Sequence, residues 1–323
     1  MNEIMPSGGD APNSYDRLVV DVQALFEAHP PERKAPDAAP NAFALARSGF
    51  HRLYRARWIP LSYRKRWWRM ARQSSLDLSW FDEFRAYWSG VLRGRPLWTH
   101  YDFFFLRNLY RMRFGRAKAP ASGDSQAHLT AWQQPEILYQ LLHGVAKESL
   151  IGELTVWERL RRHAPHARRF FEFGCGTAPV TTAYFEFFHP PVDVAFRLSD
   201  IQTIPFHYAA HKFRSCSNVT AAPLLPADNF MPSSPAPLDV IFALTVFEHL
   251  PRPLEVAQTF HRLLARGGIL VFDYIKGEGQ GLDTRQGCEQ RDAVLDFLAA
   301  HFDLAEGALD KDRSMGLTFL RKR

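Results

Sequence analysis

Apolar and polar positions change rhythm near residue 168. Beyond it, five runs rich in β-branched and aromatic residues alternate with stretches of helical period. The runs are RFFEF (169–173), VAFRLSD (194–200), VTAAPLL (219–225), LDVIFAL (238–244) and GILVFDY (268–274), and the helical stretches cover 178–188, 203–214, 254–265 and 290–300. Nearly continuous apolar strands separated by amphipathic helices predict a parallel sheet covered on both faces. Two later runs, HFDLAEGAL and MGLTFLRK, have no long helix between them, which predicts an antiparallel hairpin at the sheet edge. The expected class is therefore α/β, with a seven-stranded, mostly parallel sheet behind a mainly α-helical N-terminal subdomain.

Ahead of residue 168 the apolar spacing is helical. Leu18, Val22, Leu25 and Phe26 share one face of a helix over 15–29, after a disordered tail at 1–14. The Pro- and Ala-rich PPERKAPDAAPN at 30–41 reads as a linker. Residues 42–117 are mostly helical, with breaks near Pro60, Gly90 and Pro96, and 119–126 form a loop. Ile137, Leu138, Leu141, Leu142 and Val145 mark one further helix, and Leu150, Ile151, Leu154, Trp157 and Leu160 a second. The expected division is a tail, short helix and linker at 1–41, a helical region at 42–126 that covers substrate, and a ligand-binding α/β domain at 127–323.

Composition adds a charge asymmetry to this picture. Between residues 45 and 120, 17 basic residues face 4 acidic ones, an excess of 13 positive charges; with a net charge of +6, the rest of the chain stands at −7. Six of the eight tryptophans lie in the same window. Much of this is the core and solvated face of a helical subdomain, but the excess also creates a field that attracts anions. The longest apolar runs fall far short of the ~20 residues that cross a bilayer. The N-terminus shows no secretory pattern, and Cys175, Cys216 and Cys288 form no CxxC pair. The expected compartment is cytoplasmic.

The chemistry is concentrated in FFEFGCGTAP, 170–179. Gly174 and Gly176 let a buried strand turn sharply into a helix with its backbone close to a ligand. A dinucleotide fingerprint needs a third glycine where Pro179 stands, and no Gly-Lys-Ser/Thr of a P-loop follows. A nucleoside with a non-phosphate tail remains, and S-adenosylmethionine fits, with Glu172 near its ammonium group. Asp200, closing the second strand, is placed to accept from both ribose hydroxyls. Asp228, after the third, is placed to accept from an adenine amino group, with the Asn229 backbone at the ring edge. Asp200 as a helix N-cap is the plain alternative.

EFGCGTAP, LSDI, PADNFMP, LDVIFALTVFEHLPRP and LLARGGILVFDY together resemble, in order and spacing, the motifs of the class I S-adenosylmethionine-dependent methyltransferases of small-molecule type, over roughly residues 148–323. The resemblance implies a Rossmann-like fold with S-adenosyl-L-methionine as cofactor. It implies that Glu172, Gly174 and Gly176 frame the methionine portion, Asp200 the ribose, and Asp228 and Asn229 the adenine, with Leu244 at the pocket floor. Cys175 and Ile201 in the same turns complete the cofactor-binding set, Cys175 as a small packing residue. Ala178 departs from the third glycine of many members. Glu248 and His249, just past the fourth strand, are the candidate catalytic residues: His249 is placed to take a proton from a hydroxyl acceptor, or else to order its loop. Thr245 stands where some related enzymes carry the first Glu of a metal site, so no metal is expected.

The expected function is methyl transfer to an oxygen or nitrogen of a small or modest-sized acceptor, which the basic N-terminal field allows to be anionic. Two alternatives remain: methylation of RNA or DNA on the basic N-terminal half, and a scaffold that binds cofactor without turnover. Nucleic acid is the less favoured partner, because the fourth strand lacks the Asn/Asp-Pro-Pro-aromatic sequence that holds an exocyclic amine. RLYRARWIPLSYRKRWWRM, mixing Arg/Lys with Trp, adds weak peripheral membrane association as a further expectation.

Overall fold

The computed structural model describes residues 79–323 apart from 93, 95–96, 115–116, 121–123, 147–149, 189–192 and 278–280. The helix expected over 15–29, the linker at 30–41 and the Arg/Trp run RLYRARWIPLSYRKRWWRM lie outside the described residues. The chain divides into two compact units, Met1–Asp102 and Phe103–Arg323. In the first, α1 (Ser79–Gly90) buries Trp80, Phe81, Phe84, Tyr87 and Trp88, so two of the tryptophans in the basic window are core residues. Helix α2 (His100–Phe114) follows.

In the second unit three helices precede the sheet: α3 (Ser125–Trp132), α4 (Leu138–Gly144) and α5 (Ile151–His163). Asp124 caps α3, its carboxylate accepting from the Ala127 N–H at 2.8 Å. The α/β alternation then runs β1 (Arg169–Phe173), α6 (Pro179–Phe188), β2 (Ala195–Ser199), α7 (Ile204–Lys212), β3 (Val219–Ala221), β4 (Leu238–Ala243), α8 (Pro253–Leu263) and β5 (Leu264–Tyr274). It ends with α9 (Arg285–Glu289), α10 (Arg291–His301), β6 (Phe302–Glu306) and β7 (Met315–Lys322). The strand order is β3-β2-β1-β4-β5-β7-β6, parallel except for β7, which pairs antiparallel with both β5 and β6. This is the Rossmann-like seven-stranded sheet with its antiparallel last hairpin. The chain leaves β1 toward β2 and β3 and returns to β4 on the other side, so the crevice at the carboxyl ends of β1 and β4 is the switch point where such sheets hold ligands.

Alternation along the central strands sorts the core into two layers. Phe171, Phe173, Ile241, Leu270 and Phe272 point to one face, packing with Val256, Phe260, Val294 and Leu298 of α8 and α10. Phe170, Val240, Phe242, Ile269 and Val271 point to the other, against Trp157 of α5 and Val180 of α6. Trp157 Nε1 donates to the Val180 carbonyl at 2.7 Å, which fixes α5 across the start of α6. Strand β5 begins four residues earlier than the apolar pattern indicates. A register shift between the pairs Leu238↔Leu264 and Val240↔Ile269 carries the glycine pair Gly267–Gly268 within the paired strand. The helix expected over 137–145 is a 3-10 turn, Pro135–Ile137, followed by α4.

Candidate cofactor and acceptor site

The turn after β1 is left-handed at three positions: Gly174 (φ 63°), Gly176 (φ 52°) and Ala178 (φ 55°). A side chain at Gly174 would also run into Val246 at 2.6 Å, so this glycine is needed for its dihedral and for close packing against the loop after β4. A Cβ added at Gly176 meets nothing within 4 Å, so the backbone there borders open space. That space is a cavity of about 360 Å³ at the switch point, lined on this side by Gly174, Cys175, Gly176, Asp200, Ile201 and Leu244. Six of the residues expected to bind cofactor are thus brought onto one wall.

Asp200 joins two strand ends. Its Oδ2 accepts from the Gly176 N–H and its Oδ1 from the Ile201 N–H, both at 2.7 Å. Thr203, not Asp200, caps α7, through a 3.4 Å bond from the Phe206 N–H. Burial raises the Asp200 pKa to about 6, against the pull of the two N–H donors, so the group is ionised at neutral pH with lone pairs left for ligand hydroxyls. Burial also lifts the Cys175 thiol well above its ordinary range, which keeps it a small packing group.

Three expected cofactor residues stand off the cavity wall. Glu172 is 5% exposed, and its carboxylate accepts from the Val180 N–H, the Thr181 N–H and Thr181 Oγ1 at 3.2, 2.9 and 2.7 Å. It serves the free N–H groups of the first turn of α6. Asp228 is exposed, and Asn229 adopts φ 52°, its Oδ1 accepting from Ser125 Oγ at 3.3 Å. The left-handed turn at 229 and 230 instead delivers the next side chain, Phe230, to the cavity.

His249 lies in the 3-10 turn Phe247–His249 and lines the cavity. Its Nδ1 is 3.1 Å from the Leu282 carbonyl and 3.3 Å from Asp283 Oδ1. Both are acceptors, so Nδ1 carries the proton and the lone pair is on Nε2. Burial pushes the His249 pKa below its ordinary value, partly offset by Asp283, so the ring is a neutral base at pH 7. Glu248 sits behind it, 1% exposed and off the cavity wall, its Oε1 3.9 Å from His249 Nε2, beyond hydrogen-bond range. Burial, reinforced by Asp273 and Asp283, raises Glu248 to about 8. It is therefore a neutral carboxylic acid at pH 7, and its place is behind the His249 imidazole.

Residues 171–270 match the family model described as a methyltransferase domain. This segment is a methyltransferase domain. Solved structures of related shape include an N-methyltransferase from Bradyrhizobium japonicum WM9, crystallised with S-adenosyl-L-homocysteine. It is 16% identical, with 54% of this chain and 87% of that chain covered and a TM-score of 0.39. A putative O-methyltransferase from Klebsiella pneumoniae is 16% identical over 53% and 79% of the two chains, with a TM-score of 0.39. An amino pentose methyltransferase from Micromonospora echinaspora, solved with S-adenosylmethionine, is 16% identical over 53% and 90%, with a TM-score of 0.37. No curated protein matches the chain.

Most of the far wall of the cavity comes from outside the matched segment. Helices α3 and α4 supply His128, Trp132, Tyr139 and His143, joined by Phe114 of α2 and by Phe230. Two contacts hold this wall to the sheet: Gln133 Nε2 donates to the Gln202 carbonyl at 2.8 Å, and Gly144 lies against Thr177 so closely that a methyl group there would collide with Thr177 Oγ1. Trp132 meets the His249 ring edge-on at 5.2 Å. The apolar spacing over residues 137–145 marks only a helix, and nothing in that spacing singles out His128 or Trp132. The signal was the polar and aromatic content of AHLTAWQQ beside an apolar face. Among the described residues lining the cavity, Asp200 is the single Asp or Glu, and Lys and Arg are absent. Among the described residues no group of three or more His, Cys, Asp or Glu is placed to hold a metal ion. None of their helices is long and apolar enough to cross a membrane.

Proposed function

We propose that this methyltransferase domain uses S-adenosylmethionine to methylate a hydroxyl oxygen on a small, uncharged acceptor. The observation that carries the choice of oxygen is His249: its Nδ1–H is committed to Leu282 and Asp283, which leaves Nε2 as the basic atom of a ring on the cavity wall. The residues present fit the cofactor. Gly176 offers bare backbone beside open space, and Asp200 offers an ionised carboxylate with unused lone pairs. Burial raises the pKa of Glu153, Glu172 and Glu248 behind the cavity, so the negative charge that faces a cationic cofactor is that of Asp200.

When bound, the cofactor supplies an electrophilic methyl group on a cationic sulfur, which takes up the electrons of the broken carbon–sulfur bond. The chain's own tasks are alignment and proton removal. Asp200 and the glycine loop fix one reactant, the α3–α4 wall confines the other, and His249 Nε2 accepts the hydroxyl proton as the new oxygen–carbon bond forms. A small acceptor is favoured over nucleic acid because the far wall is aromatic and lacks Lys and Arg among the described residues. The same feature favours a neutral acceptor over the anionic one first expected. The three cysteines, all free thiols, agree with work in the cytoplasm.

The test is mass spectrometry of full-length protein incubated with methyl-labelled cofactor and a small-molecule extract. Label on an oxygen of a low-mass product, lost in His249→Ala, is the expected result. Label recovered only on nitrogen, or on RNA or DNA, overturns this reading.

A further inference from the structure

His128 is out of place as a packing residue. It is 5% exposed, its ring centroid 5.6 Å from that of Phe230 and 6.3 Å from that of Trp132, a setting that phenylalanine or leucine would fill without polar atoms. Its Nδ1 has no hydrogen-bond partner, and Trp132 Nε1 beside it has none either. Buried polar atoms are paired in the great majority of cases, so two unpaired ones on adjacent side chains of a cavity wall need an explanation. Burial, with the nearby His249, holds the His128 pKa down to about 4, so the imidazole is neutral and carries one N–H and one lone pair. Neutral His128 cannot act as a cation for an anionic ligand. It can exchange a hydrogen bond with an uncharged hydroxyl, carbonyl or amide.

Three features converge on one ligand chemistry. Aromatic side chains, Phe114, Trp132, Tyr139 and Phe230, suit a flat ring. Lys and Arg are absent from the described lining, so an anionic ligand gains no counter-charge there. Two neutral imidazoles, His128 and His249, both near Trp132, offer separate polar contacts. We propose that His128 is a specificity-determining residue, which selects a flat, uncharged acceptor bearing a second hydrogen-bonding group beside the hydroxyl that reacts at His249. The inference rests on the methyl-transfer reading for which hydroxyl reacts, and not for the binding step. A site built to hydrogen-bond a hydroxyl discriminates strongly against the analogue that lacks it, because its own buried polar group is then left unpaired.

The experiment is calorimetric titration of the full-length protein with three probes, catechol, phenol and benzoate, each with and without saturating S-adenosylhomocysteine. Catechol is expected to bind about tenfold tighter than phenol, with benzoate no tighter than phenol. In His128→Phe the catechol preference disappears while phenol and S-adenosylhomocysteine bind as before. In His128→Gln, which keeps a donor and an acceptor, part of the preference returns. The proposal is overturned if wild-type protein binds none of the probes, does not distinguish catechol from phenol, or prefers benzoate. It is also overturned if a folded His128→Phe variant keeps the preference. Should neither variant fold, the wild-type preference decides. A catechol preference without any S-adenosylhomocysteine binding would leave this inference standing and remove the methyl-transfer reading alone.

Discussion

The backbone N–H of Gly176 donates to the Asp200 carboxylate at 2.7 Å, across 24 positions of sequence. The loop after β1 and the end of β2 are therefore one mechanical unit, and the carboxylate proposed to hold the cofactor also holds the glycine loop beside it. Asp200→Ala is expected to weaken S-adenosylhomocysteine binding by about 1–3 kcal/mol, from lost charged hydrogen bonds and a loosened loop. In the wild type, affinity should fall as pH drops through about 6, where Asp200 takes up a proton. Calorimetry between pH 5 and 8 checks both; a flat pH profile together with unchanged affinity in the variant would remove Asp200 from the site.

Glu172 is expected to act on stability rather than on ligand affinity. Glu172→Ala leaves Val180 N–H, Thr181 N–H and Thr181 Oγ1 without their buried acceptor, at a cost of about 2–4 kcal/mol. Its folded pKa, raised to about 8 from 4.5, means the unfolded chain releases the proton first. Wild-type stability should thus decline as pH rises between those values, and Glu172→Gln should flatten that slope. Urea unfolding across pH measures this. A loss of cofactor affinity larger than the loss of stability would return Glu172 to the ligand.

For His249 the expected readout is turnover. His249→Ala should lower kcat by ~10²-fold or more with S-adenosylhomocysteine affinity nearly unchanged. The acid limb of the wild-type kcat profile should lie below pH 6.5, because burial lowers the His249 pKa; activity is then lost as pH falls and His249 becomes protonated. Asp283→Asn removes the charge that offsets this, so the limb should move lower still. Loss of cofactor binding or of folding in His249→Ala would instead assign His249 to ordering its loop.

The contact between Gly144 and Thr177 gives a steric test of the α3–α4 wall. Gly144→Ala places a methyl group against Thr177 Oγ1, which must push α4 off the glycine loop. A destabilisation of about 1–3 kcal/mol is expected, with weaker S-adenosylhomocysteine binding. Adding Thr177→Ala should recover part of both, as read by thermal unfolding and calorimetry. Equal losses in the single and double variants would place the strain elsewhere.

Much of this architecture was legible in local pattern. Near-continuous apolar runs such as RFFEF and VIFAL, short and rich in β-branched and aromatic residues, read as strands covered on both faces, and the amphipathic stretches between them as the covering helices, so the sheet and its final hairpin followed from spacing along the chain. That Gly174, Gly176 and Asp200 line one cavity was legible for the same reason, because in a parallel sheet strand ends meet at the switch point, whereas Ile201 and Leu244 came with the family resemblance.

Tertiary structure decided the rest, because it rests on contacts that local periodicity does not record. Glu172 lies at the end of β1 like a ligand contact, yet the first turn of α6 comes within reach of its carboxylate and takes both oxygens. Asp228 and Asn229 occupy the expected loop, but the left-handed turn carries Phe230 inward in their place. The tautomer of His249 is set by Leu282, 33 positions away, and α3 meets the loop after β3 across 104 positions through Ser125 and Asn229. His128 and Trp132 read in sequence as one side of a short helix; only the closure of α3 and α4 over the strand ends makes them the wall of a cavity.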